Sequence, residues 1–358
     1  MKAAVLNEPG RPLDIEDVDL DGPRPDEVRV RVAASGLCHS DYHMMIGDLP
    51  VAIPAVLGHE AAGYIEAVGS DVRGLKPGDA VVTCVSYFCG SCGECQHGHT
   101  HRCDDKPVRP ASAPSRISRS GQPIYQLGGL GGFAEEMVVH GRAVAKLPEG
   151  MPMDAAALLG CAVLTGAGAV LNGAKVEPGS TVAVIGCGGV GLNVVQAARI
   201  AGATRVIAVD LKPDKLALAR AFGATDTILA GEDAVAEVVE LTSGGVDYAF
   251  EVIGLSSTMR QAFMMLRKGG TAMLIGVGKS GAELTIPIAP FIFKEVRVMS
   301  SLMGSSPFQH FIPQLAQYYL NGSLKLDELI SQRIPLAQIN EGYASMARGE
   351  VARSVVVF

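Results

Sequence analysis

The sequence predicts an α/β protein built on a doubly wound parallel sheet, preceded by a β-rich region. Three features support this fold class. An apolar segment of strand length, Thr181–Ile185, leads into a glycine-rich turn and then a helical pattern. A second strand pattern, Arg205–Asp210, follows that helix. From about residue 163 to residue 301, strand and helix patterns alternate, as they do in a sheet covered on both faces.

The turn after the first strand has the pattern G-x-G-x-x-G, and each glycine has its own reason. Gly186 permits a tight turn, Gly188 lets a pyrophosphate approach the backbone, and Gly191 lets helix and strand pack closely. Gly189 and Val190 open the helix, whose free N–H groups and positive dipole end favour phosphate. The turn alone is a weak signal. The order strand, turn, helix and strand makes it a prediction of a dinucleotide-binding Rossmann domain.

An acid ends the second strand. Asp210 stands at the spacing expected for a carboxylate that binds the ribose 2′-hydroxyl. Because the same carboxylate repels a 2′-phosphate, it predicts NAD and disfavours NADP. A doubly wound domain without a nucleotide is the disfavoured alternative.

Composition narrows the function classes. With 358 residues, 48% of them hydrophobic, the chain has material for about two domains and a sizeable core. A net charge of −7 argues against nucleic acid or an anionic membrane as the main partner. No apolar run is expected to span a bilayer, and the N-terminus predicts a strand and not a signal peptide. We therefore expect a cytoplasmic protein, in which eight cysteines favour metal binding or catalysis over disulfides.

Four of the cysteines form the pattern C-x2-C-x2-C-x7-C: Cys89, Cys92, Cys95 and Cys103. So short a lobe with four thiols predicts one tetrahedral structural zinc. An iron–sulfur cluster, which also uses four thiolates, remains an alternative.

Two other stretches carry polar residues of interest. Residues 36–47 are predicted to be a compact, turn-rich stretch, and residues 104–126 a long surface loop. The loop contains Lys106, Arg109, Arg116 and Arg119, with no acid from residue 106 to residue 119. It is either a solvated loop or an anion-binding rim for a substrate carboxylate.

Several motifs together resemble those of the zinc-dependent medium-chain alcohol dehydrogenases, over essentially the whole chain. They are GHEAAG at residues 58–63 with Gly69 and Val72, GLCHSD at 36–41, LGCAVLTG at 159–166, FEVIG at 250–254, and the four-cysteine lobe. The resemblance implies a GroES-like, mostly β catalytic domain formed by residues 1–162 and 302–358. The Rossmann domain, residues 163–301, is inserted between these parts.

The resemblance also implies a catalytic zinc in addition to the structural one. Cys38, His59 and Cys161 would hold it and leave a position for an alcohol, whose pKa the zinc lowers. Glu60 would be a transient fourth ligand or a nearby charge. Asp41 would accept the second ring N–H of His59.

Further roles follow from the same resemblance. Ser40 and His43 would form a proton relay by way of the cofactor ribose, and His39 and Arg353 would contact the pyrophosphate. The remaining cofactor contacts would be Thr165, Lys215, Ile253, Ile275 and Val277, and the apolar substrate pocket would include Leu49, Val85, Val277 and Leu302.

Three functions remain open. The first is an NAD-dependent dehydrogenase of primary, hydrophobic alcohols, medium-chain or aromatic. The second is a formaldehyde dehydrogenase acting on an S-hydroxymethyl thiol adduct; family members of that kind usually carry tyrosine where this chain has His43. The third is a non-enzymatic nucleotide-binding protein, disfavoured because both metal sets are complete. Cys161 disfavours a polyol dehydrogenase, which usually has a carboxylate there. The resemblance implies a homo-oligomer, a dimer being favoured over a tetramer.

Overall fold

The computed structural model describes residues 1–107, 114–279 and 281–358. The chain forms two compact units. Unit 1 comprises Met1–Cys161, Pro307–Gly322 and Leu326–Phe358, and unit 2 comprises Ala162–Ser306 and Ser323–Lys325. The domain boundaries given above stay a prediction.

The strands are, in chain order, β1 (Lys2–Leu6), β2 (Asp14–Asp17), β3 (Asp19–Leu20), β4 (Glu27–Gly36), β5 (Ala55–Val56), β6 (Glu60–Val68), β7 (Ala80–Thr83), β8 (Ile117–Arg119), β9 (Gln122–Gln126), β10 (Glu136–His140), β11 (Val144–Lys146), β12 (Thr181–Ile185), β13 (Arg205–Asp210), β14 (Asp226–Leu229), β15 (Val246–Glu251), β16 (Leu266–Leu274), β17 (Arg297–Ser300), β18 (Ile330–Ile334) and β19 (Arg353–Val357). The α-helices are α1 (His39–Met45), α2 (Gly93–Gln96), α3 (Met153–Leu158), α4 (Leu164–Gly168), α5 (Gly189–Ile200), α6 (Pro213–Ala221), α7 (Ala234–Leu241), α8 (Ser256–Met264), α9 (Ile288–Phe293), α10 (Phe308–Leu320) and α11 (Ile339–Ala347).

Unit 2 contains the predicted doubly wound sheet. Its strands are all parallel, in the order β14-β13-β12-β15-β16-β17. Residues Val182–Ile185 of β12 are fully or almost fully buried, because helices cover both faces of such a sheet. The chain adds β13 and β14 on one side of β12 and then β15, β16 and β17 on the other side, so the strand order reverses between β12 and β15. In this fold class ligands bind there, at the carboxyl ends of the strands.

Unit 1 contains the mostly β fold. One sheet has the order β2-β1-β5-β9-β8-β3, and the other has the order β11-β7-β6-β4-β19-β18 with β10 also paired to β4. In β4 the buried Val28, Val30 and Val32 alternate with the more exposed Arg29 and Arg31, as the sequence predicted. The C-terminal strand β19 pairs with β4, so the end of the chain completes a sheet begun near its start.

The stretch predicted as turn-rich, residues 36–47, contains a helix. The seven residues of α1 are too few to form a stable helix alone. Tertiary packing compensates: Met45 is buried in the core, and the ring of Tyr42 stacks on that of Tyr343. The prediction was wrong because these contacts come from the far end of the chain.

The prediction of a long surface loop over residues 104–126 was also wrong in its second half. Strands β8 and β9 pair there, with Ile117 and Ile124 fully buried. The Arg116 guanidinium is buried, 3.0 Å from a carboxylate oxygen of Glu27 and 3.6 Å from one of Asp21. Arg116 is therefore neither solvated nor part of an anion-binding rim. Arg109 lies outside the described residues.

One helical run is long and apolar enough to cross a membrane, contrary to the expectation from sequence. This run, Met153–Ala174, has 22 residues, and 78% of its most apolar window is buried inside the protein. Core helices of globular proteins meet the same criteria of length and composition, so the run is weak evidence for a membrane span.

We predict that the Arg116→Ala variant is much less stable than the wild type. The change leaves the buried carboxylate of Glu27 without its guanidinium partner, which typically costs about 3 kcal/mol or more. Arg119→Ala is the matched control, since Arg119 is 42% exposed and its pair with Glu16 should be worth less than about 1 kcal/mol. Urea denaturation of both variants measures the difference. Equal, small shifts of the midpoint would show that Arg116 does not stabilise the fold.

Candidate active site

Four side chains that can bind a metal converge in unit 1. The Sγ atoms of Cys38 and Cys161, a ring nitrogen of His59 and a carboxylate oxygen of Glu60 all lie within 4.8 Å of one another. Cys38 immediately precedes α1, and His59 and Glu60 stand at the start of β6. Cys161 lies in a π-helical turn, Leu159–Val163. Folding thus brings together residues that are far apart in the sequence.

Glycines next to two of these residues allow the close approach. Gly58, before His59, has a φ of +89°, and a Cβ there would lie 2.8 Å from the ring of Phe133. A Cβ on Gly160, before Cys161, would overlap the carbonyl oxygen of Thr83. Both backbone segments can therefore reach the cluster only with glycine at these positions.

Asp41 holds the imidazole of His59. Nδ1 of His59 lies 3.1 Å from Oδ1 and 3.0 Å from Oδ2 of Asp41, and Oδ1 also accepts from the Gly58 N–H at 3.1 Å. With Nδ1 donating to the carboxylate, Nε2 keeps its lone pair for a metal. Burial alone lowers the pKa of His59, but the charges of Asp41 and Cys38 outweigh it and raise the pKa well above its usual value.

The two thiols of the cluster interact with each other. A hydrogen bond with Cys161, together with the charge of His59, holds the pKa of Cys38 well below its usual value. The same hydrogen bond and burial raise the pKa of Cys161. Two thiols in contact, one of them with a lowered pKa, can bind a soft divalent cation as thiolates when it displaces their protons.

Glu60 is fully buried beside Arg353. Nη1 of Arg353 lies 3.2 Å from Oε1 of Glu60 and donates to the carbonyl oxygen of Leu37 at 3.0 Å. Burial raises the pKa of Glu60 to about 7, although Arg353 opposes the shift. Gly36, a residue the sequence analysis did not assign, makes room for this carboxylate, because a Cβ there would overlap Oε2 of Glu60. The pyrophosphate contact of Arg353 stays a prediction.

Helix α1 carries the predicted relay residues. The Oγ atom of Ser40 lies 3.8 Å from Sγ of Cys38. One turn further on, Nδ1 of His43 lies 3.1 Å from Oδ2 of Asp48, and both side chains are partly exposed. His39, the first residue of the helix, is exposed. The two pocket candidates of unit 1, Leu49 and Val85, are half-buried.

The four-cysteine lobe has the dimensions of a tetrahedral thiolate site. Sγ of Cys89 lies 3.9 Å from that of Cys95, and Sγ of Cys92 lies 3.8 Å from that of Cys103. A zinc–sulfur distance of about 2.3 Å gives a tetrahedron with edges of about 3.8 Å. Backbone N–H groups of Ser91 and Cys92 donate to Cys89 and lower the pKa of its thiol to about 6. The lobe therefore fits a zinc ion.

The glycine turn of unit 2 has space for a phosphate group. Gly186 has a φ of +99°, and a Cβ on Gly191 would overlap its carbonyl oxygen. At Gly188, in contrast, a Cβ would meet nothing within 4 Å, so the backbone is open to a ligand. Asp210, at the end of β13, accepts from the N–H groups of Cys187 at 2.8 Å and Lys212 at 3.0 Å. The carboxylate thus lies beside the turn.

The other predicted residues of unit 2 lie near the carboxyl ends of its strands or on its helices. Gly189 and Val190 begin α5, Lys215 is half-buried on α6, and Thr165 is half-buried on α4. Ile275 follows β16 and is half-buried, whereas Ile253, Val277 and Leu302 are exposed apolar residues.

Comparison with known proteins adds independent information. Residues 24–149 match the family model "Alcohol dehydrogenase GroES-like domain", and residues 189–317 match the model "Zinc-binding dehydrogenase". The chain is 40% identical over 367 residues to the class-3 alcohol dehydrogenase of Pisum sativum, covering 99% of this chain and 97% of the relative.

Several solved structures are also similar to the chain over its whole length. An alcohol dehydrogenase zinc-binding domain protein from Burkholderia ambifaria has a TM-score of 0.96 and 38% identity, with 100% of this chain and 98% of the other covered. The benzyl alcohol dehydrogenase of Acinetobacter calcoaceticus has a TM-score of 0.95 and 30% identity, with 100% and 99% covered. A zinc-binding dehydrogenase from Sinorhizobium meliloti, solved with NADP, has a TM-score of 0.83 and 30% identity, with 100% and 99% covered.

These matches extend over both units and agree with the predicted combination of a GroES-like domain and a Rossmann domain. The donor cluster and the glycine turn are candidates for the two kinds of site that the family's chemistry requires, one for zinc and one for a nicotinamide cofactor. The chain belongs to the zinc-dependent medium-chain alcohol dehydrogenase family, and it is an oxidoreductase that acts on alcohols.

Proposed function

We propose that the protein is an NAD-dependent dehydrogenase of neutral, hydrophobic primary alcohols, with two zinc ions per chain. The observation that carries the proposal is the buried donor cluster of Cys38, His59, Glu60 and Cys161. Two sulfurs and an imidazole suit zinc, and three such ligands leave a position for substrate. The four-cysteine lobe would hold the second zinc ion in a structural role.

The residues of the chain would have the following roles. Cys38, His59 and Cys161 would hold the metal, and Asp41 would keep Nε2 of His59 available to it. When bound, zinc would supply a Lewis acid that lowers the pKa of an alcohol hydroxyl, and the nicotinamide cofactor would supply the hydride acceptor. Ser40 would accept the alcohol's proton at Oγ as its own hydroxyl proton passes to the next acceptor, and the partly exposed His43 would release a proton to solvent.

Glu60 would act as a nearby charge or as a transient ligand. Its carboxylate is held by Arg353, and its pKa of about 7 allows either protonation state near neutral pH. His39 and Arg353 would contact the cofactor pyrophosphate, as the family resemblance implies.

The substrate class rests on the side chains that the family resemblance assigns to the substrate pocket. Val85 takes a position that resembles one often held by an aromatic residue in the family, and a valine leaves more room for substrate. Leu49 and Val85 are both apolar. Similarity to a benzyl alcohol dehydrogenase supports an aromatic or otherwise hydrophobic alcohol.

The alternative is oxidation of an S-hydroxymethyl thiol adduct, which would need cations to bind its carboxylates. Two candidates for that role are paired within the protein: Arg116 is buried against Glu27, and Arg119 pairs with Glu16 at 2.6 Å. These ion pairs support neutral substrates. A non-enzymatic nucleotide-binding role has no observation in its favour.

We further propose a cytoplasmic homodimer. Among the described residues of unit 2, β17 is an edge strand, and the helix that precedes it in the chain, α9, has no buried residue although its sequence is IAPFIF. An unpaired strand edge and exposed apolar side chains each favour pairing with a second copy of the chain.

We expect the two zinc ions to leave at different chelator concentrations. Four thiolates should hold the lobe zinc more tightly than the cluster holds its own, so dialysis should remove activity before it unfolds the chain. Metal content, activity and circular dichroism during dialysis test this. A content of about one zinc ion per chain, or activity that survives the loss of the weaker one, would contradict the proposal.

Asp41→Asn should weaken only the cluster zinc. Loss of the carboxylate that orients His59 is expected to reduce its zinc affinity roughly 10–100-fold. Asp48→Asn is the control, because Asp48 contacts His43 and no predicted zinc ligand. Competition with a chromogenic chelator measures both variants. Similar zinc affinities in the two variants would show that Asp41 does not support the metal site.

Asp210→Gly should lose much of the preference for NAD over NADP. The change removes both the acceptor for the 2′-hydroxyl and the repulsion of a 2′-phosphate. Values of kcat/KM with both cofactors, for the wild type and the variant, test this. Equal wild-type efficiencies would show that Asp210 does not select the cofactor.

Benzyl and medium-chain alcohols should be better substrates than ethanol, mainly through KM. Each buried methylene contributes about 0.8 kcal/mol, or roughly fourfold. Val85→Phe should reduce efficiency with benzyl alcohol more than with ethanol, because the larger ring fills the space. Efficient oxidation of a thiol–formaldehyde adduct, with little activity on benzyl alcohol, would favour the alternative function.

A further inference from the structure

Glu251, the last residue of β15, is a fully buried acid that no role described so far uses. Its Oε1 atom accepts three hydrogen bonds of 2.8 Å, from the N–H groups of Ile253 and Gly254 and from the hydroxyl of Thr258. Its Oε2 atom is buried and has no hydrogen-bond partner among the described residues. One carboxylate oxygen therefore fixes the loop after β15 to the first turn of α8.

The backbone of Glu251 fixes a second loop. Its carbonyl oxygen accepts from the N–H of Ile275 at 2.8 Å and from the N–H of Gly276 at 3.1 Å. These two residues follow directly after β16. Glu251 thus receives five hydrogen bonds, which hold the loops at the carboxyl ends of two neighbouring strands.

The two loops touch backbone to backbone. Gly254 has a φ of +93°, and a Cβ there would lie 2.5 Å from the carbonyl oxygen of Val277. A Cβ on Gly276 would overlap the N–H of Gly254. Since neither side can move without disturbing the other, the position of Gly254, which Glu251 sets directly, also determines where Val277 stands.

Glu251 and the two loops that it holds, residues 252–254 and 275–277, form a clamp. This clamp also adjoins the dinucleotide turn. A Cβ on Gly186 would lie 2.8 Å from Cγ1 of Ile253, so this side chain packs against the first glycine of the turn. Ile253 and Val277 nevertheless present apolar surface to solvent, being 44% and 76% exposed. They stand at the carboxyl ends of the strands next to the point where the sheet's connections reverse, where a cofactor ring is expected.

We propose that Glu251 is a positioning residue for the nicotinamide half of the cofactor. It holds the loops 252–254 and 275–277 so that Ile253 and Val277 present a rigid apolar surface to the ring and its ribose. Asp210, which would bind the adenosine half, is held by the N–H groups of Cys187 and Lys212 and not by Glu251, so we expect that half to depend little on the clamp. The inference rests on the proposed cofactor site of unit 2 and assigns to Glu251 a role within it.

Binding of NAD and of ADP-ribose, which lacks the nicotinamide, separates the two halves. Isothermal titration calorimetry of zinc-loaded Glu251→Ala should show NAD binding about tenfold weaker than in the wild type, a loss of about 1.4 kcal/mol. The affinity for ADP-ribose should stay within about twofold. Glu251→Gln keeps an acceptor at Oε1 and should restore most of the affinity for NAD.

Two further variants keep the test decisive if Glu251→Ala does not fold. Thr258→Val removes the hydroxyl, one of the three donors to Oε1 of Glu251, and should weaken NAD binding about threefold, again without affecting ADP-ribose. Asp247→Asn, at the opposite end of the same strand, is the matched control. Asp247 accepts from Thr181 and Arg267 and is expected to affect stability but neither ligand.

Equal losses of NAD and ADP-ribose affinity in the Glu251 and Thr258 variants would overturn the proposal, because the clamp would then support the whole domain. Unchanged affinity for both ligands in all of these variants would also overturn it. If the wild type bound neither ligand, the cofactor site itself would be wrong, and the proposal would fall with it.

Discussion

The ion pair of Glu60 and Arg353 is the interaction on which the organisation of unit 1 depends. A fully buried carboxylate is unfavourable unless a cation and hydrogen bonds compensate for its lost hydration. The compensating cation comes from β19, at the other end of the chain, and β19 pairs with β4 beside Gly36. The return of the C-terminal strand to a sheet formed near the N-terminus therefore also places a positive charge beside the Glu60 carboxylate of the metal-binding cluster.

Close backbone approach is the second constraint, and it operates in both units. Three glycines stand where a Cβ would occupy space next to a residue of the metal-binding cluster: Gly36 beside Glu60, Gly58 before His59 and Gly160 before Cys161. In unit 2 the contact of Gly191 with Gly186 tightens the phosphate turn, and Gly254 and Gly276 bring two loops together. A methyl group at these positions would clash with a neighbouring atom, so that the backbone or the neighbouring side chain would have to shift.

How well each site could be predicted depended on how far apart its residues lie in the sequence. The four-cysteine lobe spans a short segment, so spacing alone indicated a tetrahedral metal site, and the distances between sulfurs fit one. The nucleotide turn was equally local. The cluster of Cys38, His59 and Cys161 could be assembled only by family resemblance, because no pattern of spacing joins residues on three separate segments. The helix α1 and the strands β8 and β9 were missed, since distant packing stabilises them.

The sequence by itself determined the doubly wound sheet, the dinucleotide turn with Asp210, and the cysteine lobe. Hydrophobic periodicity, glycine placement and ligand spacing are local properties that a chain carries before it folds. Only the tertiary structure decided which partners the charged side chains outside these motifs have. Arg116 proved to be a buried partner of Glu27, Arg353 a partner of Glu60, and Glu251 a clamp on two loops. The reason is physical: the role of a charged side chain depends on burial and on its partner, and long-range folding sets both.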